Sequence, residues 1–157
     1  MKTLIVYDSI FGNTEKVAQA MAEALAAQGE ATLRRVADVQ PGNLAGLRLL
    51  LVGSPTRAFR PTPATVAWLK ALPAGALQGV RVGAFDTRMQ VEKAPAILRF
   101  LVSLFGFAAK PIAAHLQKAG GALACPPEGF IVLGTEGPLQ EGELERAATW
   151  AKAAARA

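Results

Sequence analysis

Two rhythms of apolar residues alternate along this chain. Lys2–Asp8 (KTLIVYD) is a short apolar run that ends in polar residues, the pattern of a buried strand. The next segment, Thr14–Gln28, has helical spacing: Val17, Met21 and Leu25 fall four apart, with Ala18 and Ala22 beside them. Asn13 or Thr14 is placed to cap its start, and Gly29 stands where a glycine stop belongs. Near-continuous apolar runs recur at Leu47–Gly53 (LRLLLVG) and Val80–Phe85 (VRVGAF), as expected of central strands. Ala31–Val36 (ATLRRV) is more polar and reads as an edge strand. Helical segments are expected at Ala64–Leu72, Ala96–Phe107 and Lys110–Ala119, the last two separated near Gly106 and Pro111. A final strand begins at Leu123–Ala124, is interrupted by Cys125-Pro126-Pro127 and resumes at Phe130–Leu133 (FIVL). Glu143–Ala157 closes the chain as a helix, with Leu144, Ala148, Ala151 and Ala155 expected on its packed face. Its acids come early and its bases late, which suits the helix dipole.

Strands that alternate with helices predict an α/β fold, an open and mostly parallel sheet covered on both faces. Ligands of such sheets sit outside the carboxyl ends of the strands. The loops after strands one, three and four are therefore where chemistry has to be sought.

Composition narrows this further. The 157 residues suit one domain spanning 1–157, and 52% apolar against 18% charged residues excludes disorder. The strongly apolar stretch Phe100–Phe107 is short of the ~17–25 residues of a membrane span, so none is expected. No secretory signal opens the sequence, and Cys125, the only cysteine, allows no internal disulfide. The expected location is cytoplasmic. Seventeen Lys and Arg against twelve Asp and Glu give +5, but the bases are scattered as singles and pairs without a nucleic-acid-binding signature. Nucleic acid is not an expected partner.

The first loop reads Asp8-Ser9-Ile10-Phe11-Gly12-Asn13-Thr14 and runs straight into a helix, whose free N–H groups and dipole favour an anion. Ser9, Thr14 and Asn13 add neutral donors, and Gly12 lets the backbone approach a ligand closely. The same residue types are also ordinary turn and cap residues. One glycine is too few for G-x-G-x-x-G, and G-x-x-x-x-G-K-[ST] is missing. A cysteine phosphatase would need its cysteine here, and a phospho-accepting domain an Asp where Gly53-Ser54-Pro55 stands.

Tyr7-Asp8-Ser9-x-Phe11-Gly12-Asn13-Thr14 resembles the FMN phosphate loop of flavodoxins, Ser/Thr-x-Thr-Gly-x-Thr after the first strand. Phe11 replaces a usual Thr, a departure that flavodoxin-like quinone reductases tolerate. Gly53-Ser54-Pro55-Thr56-Arg57-Ala58-Phe59 resembles the flavin loop after strand three, and Asp86-Thr87-Arg88 takes the place of the second flavin loop. Thr135-Glu136-Gly137-Pro138-Leu139 resembles a subgroup of small bacterial flavodoxin-domain proteins. The resemblance implies a three-layer sandwich around a five-stranded parallel sheet in the order 2-1-3-4-5. It also implies FMN, with a phosphate site of Ser9, Ile10, Phe11, Gly12, Asn13 and Thr14 and a ring site of Pro55, Thr56, Arg57, Ala58, Phe59, Asp86, Thr87 and Arg88. Phe59 is the candidate to stack on the ring. No catalytic side chain and no metal are implied.

His115 lies away from the three loops and is not expected to be catalytic, Cys125 reads as structural, Trp68 and Trp150 read as packing residues, and no His, Cys, Asp and Glu cluster has metal spacing. Ile97–Phe107 (ILRFLVSLFGF) is apolar nearly all round. Either neighbouring elements bury it, or it forms a homodimer contact or docking patch near the flavin. The resemblance implies an electron carrier serving a redox partner protein or an NAD(P)H-linked reductase. The alternatives are an FMN-dependent NAD(P)H quinone or small-molecule oxidoreductase, and a flavin-binding subunit or regulator of a larger redox system. Positive charge near the site predicts a less negative potential for the reduced flavin than in acidic relatives.

Overall fold

The computed structural model describes residues 1–92 and 94–157. Its strands are β1 (Lys2–Tyr7), β2 (Glu30–Arg35), β3 (Leu49–Pro55), β4 (Arg81–Met89), β5 (Ala122–Leu123) and β6 (Glu128–Val132). Its helices are α1 (Asn13–Ala26), α2 (Pro63–Ala71), α3 (Ala96–Phe105), α4 (Ala109–Lys118) and α5 (Glu143–Arg156). All strand pairs are parallel, in the order β2-β1-β3-β4-β5, with β6 also on β4.

Alternation along the strands sorts the core into two. Leu4 and Val6 of β1 and Leu50 and Val52 of β3 face α2 and α4, where Leu69, Ile112 and Leu116 meet them. Ile5, Leu49 and Leu51 face the other way, toward Val17, Met21 and Leu25 of α1 and Ala147 and Ala151 of α5. The small residues of α5 let it lie close against α1. Beneath it Phe85, Phe130 and Trp150 pack edge to face at 6.1–6.4 Å between ring centres. Gly53 and Gly83 make room for these side chains. A Cβ on Gly53 would stand 2.1 Å from Phe85 Cε2, and one on Gly83 2.7 Å from Leu51.

The interrupted last strand takes the form expected of it. β5 pairs with Arg81 and Val82, β6 pairs with Phe85–Met89, and the Cys125-Pro126-Pro127 stretch lies between them. Proline cannot donate to a ladder, so two short strands share one sheet position.

Other expectations change. The packed face of α5 is Glu143, Ala147, Ala151 and Ala154, whereas Leu144 is exposed; alanines on every side leave the phase of this helix to its contacts with α1. β4 runs on through Asp86, Thr87 and Arg88 to Met89, because β3 and β6 flank those residues. The N-cap of α1 is Gly12, at φ +91°, and not Asn13 or Thr14. No residue of α3 is fully buried; Leu101 and Val102 are half-buried and the rest of the helix is exposed, so neighbouring elements cover this segment only in part.

Candidate functional site

The turn from β1 into α1 is built to leave donors free. Ser9 Oγ accepts from the N–H groups of Gly12 at 3.1 Å and Glu15 at 3.4 Å. No acceptor among the described residues takes the N–H groups of Asn13 and Thr14, which open the helix. Such a helix start binds anions. The loop is braced from behind. The Asp8 carboxylate accepts from Ser9 N–H at 2.9 Å, Arg35 Nη1 at 3.1 Å and the Thr62 hydroxyl at 2.5 Å. Arg35 also donates to Ser9 O at 3.0 Å, which the sequence alone did not reveal. Asn13 Nδ2 donates to Glu136 O at 3.0 Å, tying this loop to the one after β6.

The turn after β3 carries strain. Arg57 and Arg60 exchange backbone hydrogen bonds of 2.8 and 2.9 Å, with Ala58 at φ +47° and Phe59 at φ +68° between them. The left-handed region costs a residue with a Cβ roughly 1–2 kcal/mol. Thr56 is pinned at both ends: its N–H donates to Thr87 O at 3.0 Å, and its hydroxyl accepts from Ala108 N–H at 3.1 Å. The Phe59 ring rests on Phe105, 5.6 Å between centres.

At the end of β4 the three expected residues part company. Asp86 is fully buried, receives Arg88 Nε and Nη2 at 2.7 Å each, and accepts from Ala109 N–H at 2.8 Å. Burial pushes its carboxyl upward, and Arg88 and Ala109 pull the other way. Arg88 lies over the Phe107 ring at 3.8 Å. Thr87 turns toward α1, where its hydroxyl and that of Thr14 share a buried hydrogen bond of 2.7 Å.

These loops enclose a cleft of about 200 Å³. Ser9, Ile10, Phe11, Asn13, Thr14, Pro55, Thr56, Arg57, Ala58, Thr87 and Arg88 line it, all expected from the sequence. Gly12 shapes the loop without lining the cleft, Phe59 faces Phe105, and Asp86 faces the core beneath Arg88. Met89, Val132 and Thr135 line it as well. The carboxyl-end rule for ligands in parallel sheets, applied to the last strand too, could have found the latter two.

A flavodoxin family model matches residues 5–150. The chain belongs to the flavodoxin family. No curated protein matches it by sequence. Among solved structures, it is similar to flavodoxin 2 from Bacillus cereus, with TM-score 0.78 and 23% identity over 99% of both chains. Flavodoxin 1 from Bacillus cereus matches with TM-score 0.78 and 14% identity, over 99% of this chain and 98% of that one. Rubredoxin oxygen:oxidoreductase from Desulfovibrio gigas matches with TM-score 0.74 and 21% identity, this chain covering 35% of that one. Proteins of the flavodoxin family bind FMN, and FMN is the cofactor assigned to this one. The residues present suit it: free N–H groups stand at the helix start for a phosphate, and a cleft with apolar and hydroxyl walls opens beside them.

Proposed function

We propose that this flavodoxin-family chain is an FMN-dependent electron carrier of the cytoplasm, a single domain over 1–157 that serves a redox partner protein or an NAD(P)H-linked reductase. The observation that carries the reading is the helix start at Asn13 and Thr14, two residues that line the cleft and whose N–H groups have no acceptor among the described residues. In this reading Ser9–Thr14 hold the flavin phosphate with neutral donors. Pro55–Ala58, Thr87 and Arg88 border the ring. The bound flavin supplies reversible uptake of one or two electrons. The protein's part is to bind it, to keep water from one face of it and to set its potential by nearby charge. No side chain is required as acid, base or nucleophile. Phe59, the candidate to stack on the ring, rests against Phe105 at the edge of this site.

One observation favours an oxidoreductase that reduces quinones or other small molecules with NAD(P)H. A second groove of about 280 Å³, walled by Ala58, Phe59, Arg60, Phe105 and Pro111, adjoins the strained turn and would give an apolar substrate room. Turnover separates the readings. The purified chain should bind one equivalent of FMN, and it should oxidise NAD(P)H only slowly with a quinone present. Rapid turnover by the chain alone would replace the carrier with the oxidoreductase, and failure of the apoprotein to bind FMN would end both.

A further inference from the structure

Charge along this chain is strongly partitioned. Between residues 39 and 127 the sequence has ten Lys and Arg and only two acids, Asp86 and Glu92; the remainder has seven and ten. Asp86 is buried and neutralised by Arg88. The basic stretch holds α2, α3 and α4, whereas α1 and α5 on the opposite face belong to the acidic remainder.

α3 sits on the basic side, beside the cleft. Ile97, Phe100, Leu104 and Phe105 are each more than half exposed along its ten residues. Near them stand exposed cations: Arg99 on the helix itself, Lys110 next to Gly106, Arg60 on the groove it shares with Phe59 and Phe105, and Arg57 in the same turn. By length and composition 96–118 would qualify as a membrane span, but Gly106–Ala108 divide it into two ten-residue helices. Each is about 15 Å long, half the depth of a bilayer's hydrocarbon. α4 is committed to the core through Ile112 and Leu116. α3 is therefore free to lie on a membrane and too short to cross it.

We propose that α3 and its surrounding arginines and lysines dock on an anionic phospholipid surface, with Phe100 and Leu104 entering the acyl boundary. An apolar helix face rimmed by cations is the form that binds at such interfaces. A second copy of the chain is the poorer occupant, because a two-fold contact would set two cationic rims against each other. A protein partner would find little polar chemistry to read on α3: besides Arg99 its one polar side chain is Ser103, whose hydroxyl already donates to Phe100 O at 2.6 Å. Through Phe105 and Phe59 the docked helix adjoins the turn whose Arg57 and Ala58 line the cleft.

Flotation with vesicles of equal phosphatidylglycerol and phosphatidylcholine, against phosphatidylcholine alone, tests this on the whole chain. Binding is expected to the anionic vesicles and to be at least tenfold weaker to the neutral ones. Leu104→Asp and Arg99→Glu should each weaken it about tenfold or more. Both positions are exposed, and unchanged FMN binding by the variants would show an intact fold and separate this proposal from the cofactor assignment. Three results would each overturn it: no binding to anionic vesicles at low salt, undiminished binding by Leu104→Asp, or a dimer in solution that Leu104→Asp dissolves.

Discussion

The Thr14 and Thr87 hydroxyls meet at 2.7 Å, out of reach of solvent, and join the first helix to the end of β4. Seventy-three residues apart in sequence, they close the inner wall of the cleft. Thr87→Val should cost about 1–3 kcal/mol in stability, since a buried hydroxyl on Thr14 then lacks its partner. FMN affinity should fall by roughly tenfold as the two loops lose their common anchor. A double-mutant cycle with Thr14→Val, read by denaturant melts and by quenching of flavin fluorescence, should return a coupling of about 1 kcal/mol. Strictly additive effects would show that the contact is incidental.

Two glycines beside the site should respond to alanine for different reasons. At Gly12 nothing lies within 4 Å of the new Cβ, and only φ +91° resists it, so Gly12→Ala should cost about 1–2 kcal/mol. At Gly53 the methyl would meet the buried Phe85 ring at 2.1 Å, and overpacking of 3 kcal/mol or more is expected. Thermal melts rank the two. Equal losses would mean that the Phe85 ring yields freely.

Glu143 gives the fold a pH signature. Its carboxylate accepts from Arg146 Nε and Nη2 and from Ile131 N–H at 2.7–2.9 Å, and the Arg146 hydrogen bond is the chief reason its pKa lies below the usual carboxylate value. A carboxyl lowered on folding adds stability above its unfolded pKa and loses it as pH falls through the folded value. Glu143→Gln should therefore be destabilising by roughly 1–3 kcal/mol at pH 7. The gap to the parent should narrow below about pH 4, where the parent's carboxylate also takes up its proton. Urea melts at pH 7 and pH 3.5 make the comparison.

Of Arg57, Arg60 and Arg88, the arginines in the turns after β3 and at the end of β4, Arg88 is already paired with Asp86, which leaves exposed Arg57 and Arg60. A cation about 8 Å from a reduced, anionic ring stabilises it by roughly 0.5 kcal/mol in water. Arg57→Ser should thus make the low potential more negative by on the order of 20 mV. The difference should shrink as salt rises from 0.01 to 0.5 M. Anaerobic redox titrations at the two salt levels read both effects, and an unshifted potential in the variant would place the charge elsewhere.

Much of this was legible in the chain itself. Runs such as LLLV in β3 have one reading in a parallel sheet, because strands covered on both faces need apolar residues at every position. The line of Val17, Met21 and Leu25, four apart, set the buried side of α1, since polar residues on the other sides leave only one phase. α5 offered no such contrast. The cleft was legible too, loop by loop, because a parallel sheet gathers the carboxyl ends of its strands at one rim.

What no local pattern carries is which loop residues turn inward. Asp86, Thr87 and Arg88 are adjacent in sequence, yet strand alternation and pairing with Arg88 bury Asp86 while Thr87 reaches across to Thr14. Arg35 braces the first loop from a neighbouring strand, and the Phe59 ring packs on Phe105 of α3. The order of apolar and polar residues along the chain determined the layers and the rim, since burial of periodic faces depends on near neighbours. Only the tertiary structure decided the partners of individual polar groups and left α3 largely exposed, since those depend on residues distant in sequence arriving within a few ångströms of one another.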